Sequence, residues 1–387
     1  MLNLPVYLDN NATTACDPRV VEAMIPYFTR YFGNAASRNH SYGWQAKEAV
    51  DYAREQVAAL IGADPQEIIF TSGATEADNL AIKGVVGMYK GKGNHIITAI
   101  TEHKAVLDTC KHIEKEGADI TYLQVKPDGR IDLKELESAI KPATILIAIM
   151  YANNETGTIQ PVREISAIAK KHNIIFFSDA VQAAGKIPVN VMADGIDLMS
   201  LTAHKMYGPK GVGALYVRRK GPRVKLTAQI DGGGHERGTR SGTLNVPGIV
   251  GFGKAAELAG NEIEMDAKRL SILRNKLENA FLQLEEVTAN GSTVHRLPHV
   301  SNLSFKFTES EGLMMGFSKN VAVSSGSACT SASMEPSYVL KAMGLDDGQA
   351  FAALRFALGR FTTEEEIDYA VNEVTKAVKA SRVISTR

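Results

Sequence analysis

Cysteine is scarce in this chain: 387 residues hold three, Cys16, Cys110 and Cys329. Three is odd and unpatterned, so neither a disulfide framework nor a CxxC zinc signature follows. A surplus of charge is missing too, since 43 lysines and arginines face 43 aspartates and glutamates. A balanced chain has no whole-protein attraction for nucleic acid or an anionic membrane, and nothing concentrates its basic residues into a patch. No run approaches the ~20 apolar residues that a membrane helix needs. The opening segment Met1–Asp9 lacks the basic start and apolar stretch of a signal peptide. Internal repeats and low-complexity segments are absent. A reducing, cytoplasmic setting is expected, in which a lone cysteine keeps a free thiol for chemistry.

What is present is a globular composition, 44% hydrophobic. Single cores stop growing at roughly 250–300 residues, so a large domain and a smaller one are expected. Apolar runs at Ile68–Thr71, His95–Ala99, Ile120–Leu123, Thr144–Met150, Ile174–Ser178, Leu198–Leu201 and Ala214–Val217 read as strands. Helical patterns alternate with them, at about Glu76–Tyr89, Ala105–Lys115, Leu133–Ala139 and Val162–Lys171. Two helices precede them, one opened by Asp17-Pro18 and running to Phe32, the other at Tyr42–Ile61. The alternation predicts an α/β fold with a mostly parallel seven-stranded sheet sandwiched by helices. Gln229–Thr243 is Gly-rich and charged and reads as a loop, followed by a long helix at Gly248–Leu284. Strands at Ser301–Phe307 and Ala352–Ala357, a Ser/Gly loop at Ser324–Ser333 and a last helix from Thr363 complete a smaller α+β domain. Residues 15–255 are assigned to the large domain, and residues 1–14 plus 256–387 to the small one.

Ligands of open parallel sheets bind beyond the carboxyl ends of the strands, and polar clusters gather there. Ser72–Glu76 joins a strand to a helix start, whose N–H groups and dipole suit a phosphate, though a plain capped turn reads the same way. His103 follows a strand and can stack on a ring or move protons; a structural histidine is the bland alternative. Asn153 and Asn154 are equally a turn composition. Asp179 ends a buried run, where an unpaired carboxylate is costly; it caps a helix or pairs with a protonated ring nitrogen. Lys205 sits among small residues before a glycine-rich reversal, as a Schiff-base lysine or an exposed one. Together a phosphate-binding turn, a ring-stacking histidine, a ring-pairing aspartate and a lysine make up a pyridoxal-phosphate site. Cys329 lies in the small, polar segment Ser324–Ser333, which suits presentation of a nucleophilic thiolate. Cys110 and Cys16 have no such context. Arg355, in an otherwise apolar strand, can hold a carboxylate bidentately or form a structural ion pair.

These residues carry a resemblance along nearly the whole chain. Tyr7–Thr14, Thr71–Glu76, Thr101–His103, Ala152–Gly157, Ser178–Gln182, Ala203–Lys205, His235–Thr243, Ser324–Ser331 and Arg355–Thr363 resemble, in order and spacing, the motifs of the cysteine desulfurases of the IscS/NifS type. These are class V aminotransferase-like enzymes of fold-type I that depend on pyridoxal 5'-phosphate. The resemblance implies that Lys205 forms the Schiff base with the cofactor. It implies that Asp179 pairs with the pyridine nitrogen, that His103 stacks on the ring and shuttles protons, and that Gln182 bonds the phenolic oxygen. Ala74, Thr75, Thr202 and His204 would hold the phosphate, with Thr243 reaching in from the partner of a homodimer. Asn154 and Arg355 would orient the substrate carboxylate, and Asn154 would also face the cofactor. Cys329 would take the sulfur of L-cysteine as a persulfide, leaving L-alanine. An iron–sulfur scaffold protein or an acceptor in tRNA thiolation or cofactor biosynthesis would receive it, and the persulfide could help ligate a cluster during transfer; the protein itself supplies no other metal site.

Two positions depart from the family pattern. Ala35 stands where proline is common, and Thr202 replaces a serine while keeping the hydroxyl. The chain ends at Arg387, soon after its last helix, where related enzymes often carry a longer tail that docks the scaffold, so the docking mode stays open. A selenocysteine lyase shares fold and cofactor, but the long Ser/Gly segment around Cys329 favours cysteine. An aminotransferase of the same class would have no use for that cysteine. A non-catalytic sulfur relay would not need Lys205, Asp179 and His103.

Overall fold

The computed structural model describes residues 2–325 and 335–385, so Cys329 lies outside the described residues. The largest sheet in it has seven strands. In spatial order they are Ile68–Thr71, Gly213–Val217, Leu198–Thr202, Ile175–Asp179, Thr144–Ala148, His95–Ala99 and Asp119–Leu123. The last five run parallel to one another. Gly213–Val217 is antiparallel to both its neighbours, which makes the sheet mixed. Its central strands are buried on both faces, the pattern of a sheet covered by helices on either side.

Each face has its own core. On one face, helices Ser41–Leu60 and Val162–Lys171 and the first half of helix Val246–Leu282 pack over Phe70, Ile147, Phe176 and Met199. On the other, Ala74–Tyr89 and Lys104–Lys115 cover Ile69, Leu146, Phe177 and Leu198. A separate core joins Val6 and Leu8, the second half of helix Val246–Leu282 (Leu270, Leu277, Phe281), Leu303, Phe305, Phe356 and the last helix, Glu364–Ser385. That core lies on a four-stranded antiparallel sheet ordered Ser324–Ser325, Ala353–Ala357, Val300–Phe305, Val287–Ala289. Val6–Tyr7 pairs with Val321–Ala322.

Helix Val246–Leu282 thus serves two cores without a break. Asn245 caps it by accepting the Gly248 N–H at 3.1 Å, and Pro247 fits its first turn. At 37 residues it spans about 55 Å. Its buried residues change core between Leu258 and Leu270.

Two expectations are corrected. The helix expected from Asp17 to Phe32 is two short helices, Pro18–Met24 and Pro26–Thr29, because Pro26 has no N–H to continue the ladder. The loop expected from Ser324 begins as a strand: Ser324–Ser325 pair antiparallel with Leu354–Arg355. Among the described residues no helix is long and apolar enough to cross a membrane, and no cluster of His, Cys, Asp and Glu could hold a metal.

Candidate active site

The strand-end residues converge. Ala74, Thr75, His103, Asn154, Asp179, Gln182, Thr202, His204, Lys205 and Arg355 line one cavity of about 730 Å³, together with Ser324 and Ser325. Thr243 is exposed and does not line it. Cys110 is buried in the core, where desolvation pushes its thiol up to about 12; Cys16 is half-buried and its thiol is also raised by burial.

The lysine is placed by a tight reversal. Strand Leu198–Thr202 ends in a single turn, Ala203–Lys205, and Tyr207 then takes a left-handed conformation (φ 65°). That conformation is unfavourable for a bulky residue, and contacts hold it. Tyr207 donates its N–H to Thr14 Oγ1 at 2.9 Å, and its hydroxyl accepts from Lys186 Nζ at 3.0 Å and from the Arg360 N–H at 2.6 Å. Lys205 Nζ donates to the carbonyl oxygens of Asn11 and Ala12, at 2.5 and 2.6 Å.

Asp179 lines the same cavity; it is 6% exposed, and its Oδ1 accepts the Val181 N–H at 2.9 Å. Burial raises this carboxyl; His103, the Val181 N–H, Lys205 and Ser200 act against the rise. His103 is exposed to the cavity and also caps helix Lys104–Lys115, its Nδ1 accepting the Ala105 N–H at 3.1 Å. The proton of the neutral ring therefore sits on Nε2. His204 is held neutral: burial, then Lys205 and Lys210, bring it down to about 4. Its Nδ1 meets Thr13 Oγ1 at 3.1 Å.

At the strand-to-helix turn, glycines leave open space. A Cβ added at Gly73 meets nothing within 4 Å, so the start of helix Ala74–Tyr89 opens into the cavity. On the adjoining strand, a Cβ at Gly213 would come 2.6 Å from the Leu201 carbonyl oxygen and 2.8 Å from Gly73. Thr202 Oγ1 donates to the Val212 carbonyl at 3.2 Å, and Gln182 Nε2 to the Asn11 carbonyl at 3.0 Å. Asn154 Oδ1 is buried without a partner, while its main-chain oxygen accepts from Asn11 and from Arg355, both at 2.9 Å. Arg355 pairs with Asp9 at 2.7 Å and donates to Ser324 Oγ at 2.9 Å; its Nε is buried and unpartnered.

Several participants were not singled out from the sequence. Asn11 links four residues, donating to Asn154, accepting from Gln182 and Lys205, and meeting His299 Nε2 through Oδ1 at 2.9 Å. Asp9 neutralises Arg355. Tyr338 lines the cavity and donates its hydroxyl to the Glu102 carbonyl at 2.6 Å. The Asp9–Asn11 pair of polar residues just after an apolar Val6–Leu8 was the available signal.

The donor set fits a planar, phosphorylated aldehyde: an amine at one wall, a buried carboxyl for a ring cation, and an open helix start with no side chain in the way. A seven-stranded α/β sheet with such a cleft at its carboxyl edge defines a pyridoxal-phosphate-dependent transferase. The family model "Aminotransferase class-V" matches residues 6–370. The cysteine desulfurases IscS of Anaeromyxobacter dehalogenans (strain 2CP-C) and Proteus mirabilis (strain HI4320) are each 56% identical, over 99% of this chain and 95% of theirs. A solved NifS-like protein superposes with a TM-score of 0.91 at 39% identity, over 97% of this chain and 100% of that one. The chain belongs to the class-V aminotransferase family and, within it, to the cysteine desulfurases of the IscS/NifS type.

Proposed function

We propose that this chain removes sulfur from L-cysteine with pyridoxal 5'-phosphate, leaving L-alanine and a persulfide on Cys329. The balance is closed: the substrate gives up one sulfur atom, the Cys329 thiol becomes a persulfide, and no outside oxidant is consumed. The observation that carries the reading is that Lys205, Asp179 and His103 share one cavity whose wall includes Ser324, Ser325 and Tyr338, on either side of the segment bearing Cys329.

Bound pyridoxal phosphate supplies a carbonyl that condenses with amines and an electron sink for the substrate carbons. The chain's own residues do the rest. Lys205 holds the cofactor and, once released, moves the proton at the substrate α-carbon. Asp179 pairs with the ring nitrogen, and its burial makes that pairing strong. His103 presents its ring face and an Nε2 proton. Gln182 faces the phenolic oxygen. Ala74 and Thr75 offer N–H groups to the phosphate, with Thr202 and His204 beside them. Thr243, which does not line its own cavity, reaches that of the partner in a homodimer. Asn154, with an unspent Oδ1, and Arg355, with an unspent Nε, orient the substrate. The Cys329 thiolate attacks the substrate sulfur. A cytoplasmic sulfur acceptor such as an iron–sulfur scaffold protein then receives it.

Borohydride treatment of the cofactor-loaded protein, followed by peptide mapping, tests the assignment. Cofactor fixed on the peptide containing Lys205 supports it; cofactor fixed elsewhere overturns it.

A further inference from the structure

Behind Asp179 lies a second carboxyl that the reaction above does not use. Asp78 is 0% exposed, reaches the cavity wall from helix Ala74–Tyr89, and neither of its carboxyl oxygens has a hydrogen-bond partner. Asp179 and Ser200 are register partners on neighbouring parallel strands, so their side chains share one face of the sheet. It is the face of Phe177 and Leu198, on which this helix packs through Ala77, Leu80 and Ala81. Asp78 therefore comes down next to Asp179, with the buried Ser200 hydroxyl adjacent to both. Glu102, a third buried carboxyl, is raised well above the usual range by burial and then by the two aspartates, and takes the Met150 N–H at 2.8 Å. His103 and Lys205 act on Asp179 in the sense that favours its charge; the carboxyl that acts on Asp78 is that of Asp179.

A dry carboxylate beside another carboxyl does not persist; it takes up a proton. We propose that Asp78 is held as a neutral carboxylic acid whose proton supports the charged Asp179 through Ser200, making it a positioning residue for the ring-binding aspartate. Hydrogen bonding to a charged carboxylate favours the charged form. One proton parked on Asp78 leaves the negative charge on Asp179, where His103 and Lys205 favour it. Burial, and then repulsion by Asp179, hold the Asp78 carboxyl well above the usual carboxylate range, in agreement with this assignment. The benefit to the cofactor rests on the role given to Asp179; the protonation does not, and it is testable on cofactor-free protein.

The test is carboxyl 13C NMR of cofactor-free protein labelled at the aspartate side-chain carboxyl. The expected result is a resonance that stays at the protonated position through neutral pH, is lost in Asp78→Asn, and titrates at lower pH in Asp179→Asn. Absence of any protonated aspartate resonance in the wild type overturns the proposal, as does one that survives in Asp78→Asn or ignores Asp179→Asn. Thermal melts give a second reading. An aspartate neutral in the fold ionises on unfolding above about pH 4, so Asp78 subtracts stability from the wild type as pH rises from there, and Asp78→Asn, which keeps the shape and a donor, lacks that loss. The melting temperature of the variant relative to wild type should rise between about pH 4.5 and 8; a relative fall overturns the proposal. Should Asp78→Asn not fold, the labelled wild type and Asp179→Asn decide alone.

Discussion

Removing the Glu236 carboxylate should cost this protein far more than removing any of its surface charges. Glu236 sits in the loop that carries Arg240 and Thr243, yet its side chain is 2% exposed and that of Arg54 beside it 9%. Two bonds, of 2.8 and 2.7 Å, join the pair, and the Phe70 N–H adds a third at 2.7 Å. Arg54 also donates to the Ile68 carbonyl and lies over the Phe70 ring. In Glu236→Ala, Arg54 stays buried without its counter-charge and the Phe70 N–H loses its acceptor. Breaking a buried pair from one side costs about 3–5 kcal/mol. At about 2–4 °C per kcal/mol for large domains, the melting temperature should fall by roughly 6–20 °C. The assay is thermal unfolding followed by circular dichroism, with Arg54→Leu/Glu236→Leu as the control. Replacing both charges by apolar groups is often neutral, so the double variant should recover most of the loss. A fall under about 2 °C, or a double variant worse than the single one, would refute the reasoning. The loop would loosen as well: Glu236 and Arg237 are both left-handed, at φ 45° and 57°, and Arg240 tethers Glu76, at the start of helix Ala74–Tyr89, at 2.7 Å.

Other outcomes follow from single residues. Gly213→Ala forces a Cβ against the Leu201 carbonyl and Gly73, so cofactor retention after dialysis, read by visible absorbance, should drop at least ~10-fold, the equivalent of about 1.4 kcal/mol. Asn11→Ala strands His299 Nε2 and leaves the Asn154 carbonyl with Arg355 alone, and should cost about 1–3 kcal/mol in denaturant melts. His204 binds fewer protons folded than unfolded between about pH 4 and 6.5, so its share of stability is present above that window and is lost as pH falls through it. His204→Gln should therefore flatten the acid limb of the melting-temperature profile.

Fold and cleft were legible to different degrees. The seven strands could be read because each is a short apolar run ended by a polar cluster, and Asp179, Lys205 and His103 stood out as polar residues closing such runs. Pro26 was in plain view, but the apolar periodicity on both sides of it masked the break. Asp9, Asn11 and Arg355 become one network only because Val6–Tyr7 and Ala353–Ala357 are brought together, and hydrogen bonds between positions 9 and 355 or 11 and 154 leave no trace in local pattern. Asp78 was visible only as an exception, an acid on an otherwise apolar helix face; its meaning depends on Asp179 and Ser200, on two other strands. The change of core within helix Val246–Leu282 has no breaker to mark it, since the helix stays intact.

The most direct test compares wild type and Cys329→Ala, each incubated with pyridoxal phosphate, L-cysteine and a thiol reductant, with alanine and sulfide quantified. Equal amounts of alanine and sulfide from the wild type and neither from the variant is the predicted result. Full activity in the variant would contradict the persulfide role of Cys329.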